Sequence, residues 1–171
     1  DALFPIAKEQ SSAARPPKAR NLLKNAGFEA AKSGWEITGG DLTTVNTQTH
    51  SGKAAARVQG SDETALFQTI PVRGGQRYRF TAWGKFEGAI PAVAAPVDFV
   101  VEFSGDGTRN YNGEPVRNVP YGADARGWFP IQSTFDVPPG AETAAVKLRK
   151  IAGGAMYWDD ASLTLEREGV K

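Results

Sequence analysis

Near the end of the chain, "GGAMYWDDASLTL" places two carboxylates, Asp159 and Asp160, side by side after two aromatics. The stretch otherwise reads as a strand, where Asp is depleted, so the charge must have a use. Hydrolysis of a glycosidic bond would need two carboxyl groups facing each other across roughly 5–9.5 Å. Neighbours on a strand instead point to opposite faces. By that alternation Asp159 shares the core side with Ala161 and Leu163, and Asp160 turns toward solvent. A lone carboxylate on the core side is costly unless it is paired or bound to a metal. A salt bridge from Asp159 to Lys53 or Arg57, or acceptance of backbone N–H bonds, would satisfy it equally.

Other catalytic chemistry finds little support. The one histidine, His50, sits in the turn-like "THSGKAAARV", and no G-x-S-x-G elbow accompanies it. H-E-x-x-H, P-loop and dinucleotide motifs do not occur. There is no Cys, which excludes disulfides and thiolate chemistry. The chain on its own is therefore expected not to be an enzyme.

The elements that position these residues are short. From Asn21 onward, apolar or alternating runs such as "ALFQTIPV", "QRYRFTAWGKF", "VDFVVEF", "WFPIQSTFDV" and "AAVKLRKI" are separated by turn signals such as "RGGQ", "SGDGT" and "PPGAE". This pattern predicts an all-β sandwich or barrel. Pro91 and Pro96 argue against a long helix in "GAIPAVAAPVD". With 171 residues, 40% hydrophobic and 23% charged, the chain has the length and composition of one globular domain. A net charge of +1 and interleaved acids disfavour nucleic acid as partner, and no apolar run reaches membrane-spanning length. Residues 1–20, which include "ARPPKAR", read as a linker or flank, with a short packed arm led by "LFPI" as the other reading. The chain opens at Asp1 without a signal-peptide pattern, so either a leader has been removed or the module comes from something longer.

Alternation also sorts the strand faces. In "QRYRFTAWGKF", Tyr78, Phe80, Ala82 and Phe86 face inward, and Arg77, Arg79, Thr81, Trp83 and Lys85 face outward. Val146 and Leu148 oppose Lys147 and Arg149, while Asp98 and Glu102 turn outward on "VDFVVEF". The expectation is one concave sheet that carries Trp83 among Arg77, Arg79, Lys85, Lys147 and Arg149, with Glu102 close by. An outward indole gives a flat surface for a sugar ring, and Arg pairs bidentately with carboxylates. Tyr111 and Tyr121 are candidate rim aromatics. Trp35 and Trp158 are expected to be structural, and Trp128 fits either role.

In order along the chain, "NLLKNAGFEA", "GWEI", "HSGKAAARV", "ALFQTIPVRGGQRYRFTAWGK", "GWFPIQSTFDVPPGAETAAVKL" and "MYWDDASL" resemble carbohydrate-binding modules of families four, nine, sixteen and twenty-two. The resemblance covers about residues 21–165, within a module expected over 21–168. It implies a jelly-roll β-sandwich of two antiparallel sheets, a polysaccharide ligand, a covalently linked polysaccharide-degrading domain and a secreted or extracellular location. It also implies a structural Ca2+ held by the side chains of Glu29 and Asp159, with Gly27 and Lys53 as carbonyl donors and Asn25 as a further candidate. The cations around Trp83 tilt the expected ligand toward an acidic, uronate-containing or sulfated glycan. The rival expectation is the same sandwich as a protein-interaction or scaffold module without sugar affinity.

Overall fold

The computed structural model describes residues 19–60, 63–105, 110–112, 116–118 and 122–169, with only the backbone of 110–112 and 116–118. Eleven strands and no helix occur among the described residues: β1 (Glu36–Thr38), β2 (Asp41–Val45), β3 (Ala55–Gln59), β4 (Thr64–Pro71), β5 (Arg77–Phe86), β6 (Val97–Gly105), β7 (Asn110–Asn112), β8 (Val116–Asn118), β9 (Phe129–Asp136), β10 (Ala141–Lys150) and β11 (Ala155–Arg167). One sheet has the order β1-β4-β10-β6-β7, with β8 also on β6; the other has β2-β3-β11-β5-β9. Every strand pair is antiparallel. The predicted jelly-roll sandwich is the observed fold.

The core follows from period-two patterning. Phe80 and Ala82 of β5, Phe99, Val101 and Phe103 of β6, and Val146 and Leu148 of β10 meet between the sheets, and the Phe80 and Phe99 rings stack at 4.2 Å. Trp35 and Trp158 belong to this interior, as expected. Trp35 stacks on Phe28 and donates its indole N–H to the Asn25 carbonyl.

The leading loop is sewn to the last strand. Leu22 donates its N–H to the Leu163 carbonyl, and Ala161 donates to the Ala26 carbonyl. Asn21 completes the seam, its amide donating to the Ala161 carbonyl and its Oδ1 accepting from Leu163. The inward Gln68 of β4 clasps both backbone groups of Lys24.

One strand breaks its own alternation. Asp159 pairs with Trp83, but the register between β11 and β5 shifts before Ser162. The extra residue of this β-bulge is Asp160, at φ 47°. Met156 and Trp158 before the bulge, and Ala161 and Leu163 after it, all face the core. Asp159 therefore lies on the Trp83 side, not on the core side that unbroken alternation predicts.

Candidate functional site

The residues expected on one surface occupy two. Trp83, Arg77, Arg79 and Lys85 lie on β5 in the five-stranded sheet, whereas Lys147, Arg149 and Glu102 lie on β10 and β6 in the other sheet. The two groups face outward from opposite sides of the sandwich, so the single ring of cations around an indole does not form. Alternation gives the correct facing within each strand, but it carries no information about which sheet a strand joins.

On the five-stranded sheet, Trp83 is half-buried and one of its faces is covered. The His50 ring stacks on it at 4.1 Å and 14°, with the Trp128 ring at 5.7 Å on the edge of His50. Trp128 is buried in a second small cluster with Ala55 and Tyr157, against which Val45 and Trp83 pack. The turn that carries His50 is held from several sides. Arg126 donates to the carbonyls of Thr49 and His50, and Lys85 reaches Gln48 at 2.9 Å. The β5 arginines are spoken for as well, Arg77 by Asp136 at 2.7 Å and Arg79 by Glu166 at 2.5 Å.

Beneath that turn sits Asp159, fully buried. Its Oδ2 accepts the N–H groups of His50 at 2.8 Å and Ser51 at 3.3 Å, and its Oδ1 accepts that of Asp160 at 2.7 Å. Burial pushes its carboxyl up to about 6, against the pull of those backbone bonds. Among the described residues no Lys, Arg or His lies within ion-pair distance of it; Arg57 pairs with Glu87 instead. Asp160 reaches over the bulge to His50 Nδ1 at 2.6 Å and Ser51 Oγ at 2.7 Å. Ser51 bonds to Asp160 rather than to His50, so the three do not form a nucleophilic relay.

Glu29 accepts the N–H groups of Lys53 at 2.8 Å and Ala54 at 3.2 Å. The Asn25 side chain ties its own loop together through Ala30, Ala31 and Ser33. Among the described residues no three His, Cys, Asp or Glu groups converge as a metal cluster. A cation here would draw on Glu29 and Asp159 together with backbone carbonyls, an all-oxygen set that fits a hard ion such as calcium.

The outer face of the six-stranded sheet is built differently. Phe67, Lys147 and Val100 lie side by side across β4, β10 and β6. The Lys147 ammonium lies 4.9 Å from the Phe67 ring centre and 2.7 Å from Glu102. One step along, Arg149 grips Asp98 through two bonds of 2.6 and 2.5 Å and reaches Glu63 at 2.9 Å. Those bonds to Asp98 hold the Arg149 guanidinium above its ordinary range. A cavity of about 270 Å³ opens beside this pair, lined by Glu63, Ala95, Asp98, Arg149 and Ile151. Phe67 went unselected in the sequence, although the parity of "ALFQTIPV" already turns it away from Leu66 and Ile70. Tyr121 lies outside the described residues, and of Tyr111 only its pairing with Phe103 is described.

A two-layer jelly roll with one loop-covered face, and another bearing a ring, ion pairs and a cavity, defines a β-sandwich of the ligand-binding kind. The chain belongs to the carbohydrate binding domain family, which it matches over residues 20–150. Exochitinase 1 of Streptomyces olivaceoviridis is 32% identical over 156 residues, or 90% of this chain, which spans 23% of that protein's length. Among solved structures, a family 16 carbohydrate binding module superposes with a TM-score of 0.65 at 21% identity, over 84% of this chain and 99% of that one. The CBM22-1 xylan-binding domain of Paenibacillus barcinonensis Xyn10C superposes with a TM-score of 0.64 at 17% identity, over 84% and 93%.

Proposed function

We propose that this carbohydrate-binding domain is a non-catalytic module that holds a polysaccharide against the outer face of its six-stranded sheet. In this reading it works outside the cell and brings an attached polysaccharide-degrading enzyme to its substrate. The observation that carries the reading is the Phe67–Lys147–Glu102 row beside the Arg149–Asp98–Glu63 cluster. An aromatic ring accepts the C–H face of a sugar, and fixed charged groups give directional partners to its hydroxyls. Trp83 is the poorer platform, because a whole ring, His50, stacks on one of its faces at 4.1 Å, whereas Phe67 meets only the Lys147 ammonium at 4.9 Å. The enzyme partner is supported by the resemblance to an exochitinase of which this chain matches only a part.

The acidic-glycan expectation required guanidinium groups free to meet carboxylates. Among the described side chains of this face, the cations Lys147 and Arg149 are both engaged, by Glu102 and by Asp98 with Glu63. That pairing favours a neutral β-linked glycan over an anionic one.

Affinity electrophoresis through glycol chitin, xylan, β-glucan and polygalacturonate tests both statements. Retardation is expected in a neutral gel, and Phe67→Ala and Lys147→Ala are each expected to weaken it about tenfold, the equivalent of ~1.4 kcal/mol. Trp83→Ala is expected to retain binding while melting at a lower temperature. Unchanged retardation of Phe67→Ala and Lys147→Ala would move the site off this face, and retardation by polygalacturonate alone would restore the acidic reading.

The same proposal includes a structural calcium at the seam between the leading loop and β11. Glu29 and Asp159 would hold it, with carbonyls of Gly27 and Lys53 completing the set. Its chemistry there is charge compensation. The support is Asp159, a buried carboxylate whose only described partners are backbone N–H groups.

A further inference from the structure

A further cleft lies neither on the proposed glycan face nor under the His50 turn. It runs along the free edge formed by β1 and β2, has a volume of about 690 Å³, and is lined by Trp35, Ile37 and Leu42 together with Asp41, Arg57 and Gln59. That volume lies within the range of small-ligand sites, roughly 300–1,000 Å³.

Its polar wall is fixed in advance. Asp41 and Gln59 are directly opposed across β2 and β3, which sets their Cβ atoms about 5 Å apart on one face. A chain of hydrogen bonds orients the amide. The Tyr157 hydroxyl donates to Glu87, Arg57 Nε donates to the same carboxylate oxygen, and Arg57 Nη1 donates to Gln59 Oε1. With Oε1 engaged by Arg57, Gln59 presents its NH2 group as a donor, while Asp41 beside it is an exposed acceptor. The Arg57–Glu87 bond also holds the guanidinium above its ordinary range and the carboxyl below its own, so the chain stays charged and ordered at neutral pH.

A donor and an acceptor side by side match the two hydroxyls of a vicinal diol. Half-buried Ile37, with the 7% exposed edges of the core residues Trp35 and Leu42 beside it, gives a sugar's C–H surface a small apolar floor. Lys32, which also lines the cleft, and Arg57 balance Asp41 and the Glu87 carboxylate that Arg57 holds, so an ionic ligand of either sign has no advantage. We infer that the β1–β2 edge cleft is a second carbohydrate site that takes a short stretch or an end of a neutral oligosaccharide. It goes beyond the sheet-face reading and does not depend on it, since the two sites share no residue. Two sites on separate surfaces of one module would let it engage two chains, or two points of one chain, and gain avidity.

The test titrates the intact chain by calorimetry with N-acetylchitohexaose, cellohexaose and xylohexaose, in the parent, in Asp41→Ala/Gln59→Ala and in Phe67→Ala/Lys147→Ala. At least one hexaose is expected to bind the parent at two sites per chain. The edge variant should lose one of them, weakened at least about tenfold by the loss of two directional bonds, and keep the other. The face variant should show the complementary loss. Asp41 and Gln59 are exposed, so the edge variant is expected to melt close to the parent. The inference is overturned if the edge variant keeps the parent's stoichiometry and affinity, or if the face variant abolishes all binding; the latter leaves the sheet-face reading standing. Binding that survives the face variant but not the edge variant would overturn the sheet-face reading and keep this one. No binding of any hexaose to the parent overturns both.

Discussion

Asp159 is the residue on which most of the chemistry at the seam turns, and its charge has a calculable consequence. Its carboxyl is raised from the ordinary 3.8 to about 6 by burial, so the fold prefers it protonated when no cation is near. For a group whose folded value is raised, the stabilising contribution is complete below the unfolded value and is lost as pH rises through the folded one. The metal-free module should therefore lose up to about 3 kcal/mol from this group between pH 4 and pH 6. A bound calcium ion would reverse the preference, because it binds the ionised form. Chelator is expected to lower the melting temperature at pH 7.5 by several degrees and to have a much smaller effect at pH 5, and Asp159→Asn is expected to abolish the difference. A parent that melts at the same temperature with and without chelator at pH 7.5 would remove the calcium from the proposal and leave Asp159 as an anchor for the His50 turn alone.

At the scale of elements, the bulge in β11 decides what the two acids do. Asp160 sits at φ 47°, a left-handed conformation that Asp and Asn tolerate and that costs most other residues about 1–2 kcal/mol. Its side chain then ties down His50 and Ser51. Asp160→Asn keeps the tolerance and an acceptor for Ser51, and is expected to cost about 1 kcal/mol; Asp160→Ala loses both and is expected to cost about 2–3 kcal/mol in urea denaturation. Equal stability of the two variants would mean that the bulge is held by the β5 pairing and not by its side chain. The bulge also marks where the sequence stopped being legible. The inward and outward sets of β5, β6 and β10 follow from period two because those strands run unbroken over the positions concerned. The facing of Asp159 does not follow, since one inserted residue inverts parity and nothing in "YWDDASL" announces the insertion except the Asp pair itself. The grouping of Trp83 with Lys147 failed for a different reason. Strands adjacent in a facing argument need not be adjacent in a sheet, and the order β3-β11-β5 joins residues from both ends of the chain. The seam between the leading loop and the last strand was legible only through the family resemblance, because half of its bonds join backbone groups that carry no residue signature and the rest pass through the one side chain of Asn21.

For the molecule as a whole, the two outer faces have taken different roles. The five-stranded sheet buries Trp128 and covers one face of the half-buried Trp83 with His50, and gains a second small aromatic cluster. The six-stranded sheet keeps Phe67, Lys147 and Arg149 half-buried with no loop ring stacked on them among the described residues, and buries Asp98. Asp98 is 3% exposed although its register turns it outward, and Arg149 is its partner. A pair this buried is a weak source of net stability, yet removal of one member leaves an uncompensated charge that costs roughly 3–5 kcal/mol. Arg149→Met is therefore expected to destabilise by about 3 kcal/mol, and the double variant Arg149→Met/Asp98→Leu to recover most of that loss. The recovery separates two roles that a single substitution would confuse. If the pair shapes the glycan face, the double variant regains its melting temperature but binds the neutral glycan about tenfold more weakly in affinity electrophoresis. A double variant that regains stability and also keeps its full affinity would confine Asp98 and Arg149 to packing, and would narrow the binding face to the Phe67–Lys147–Glu102 row.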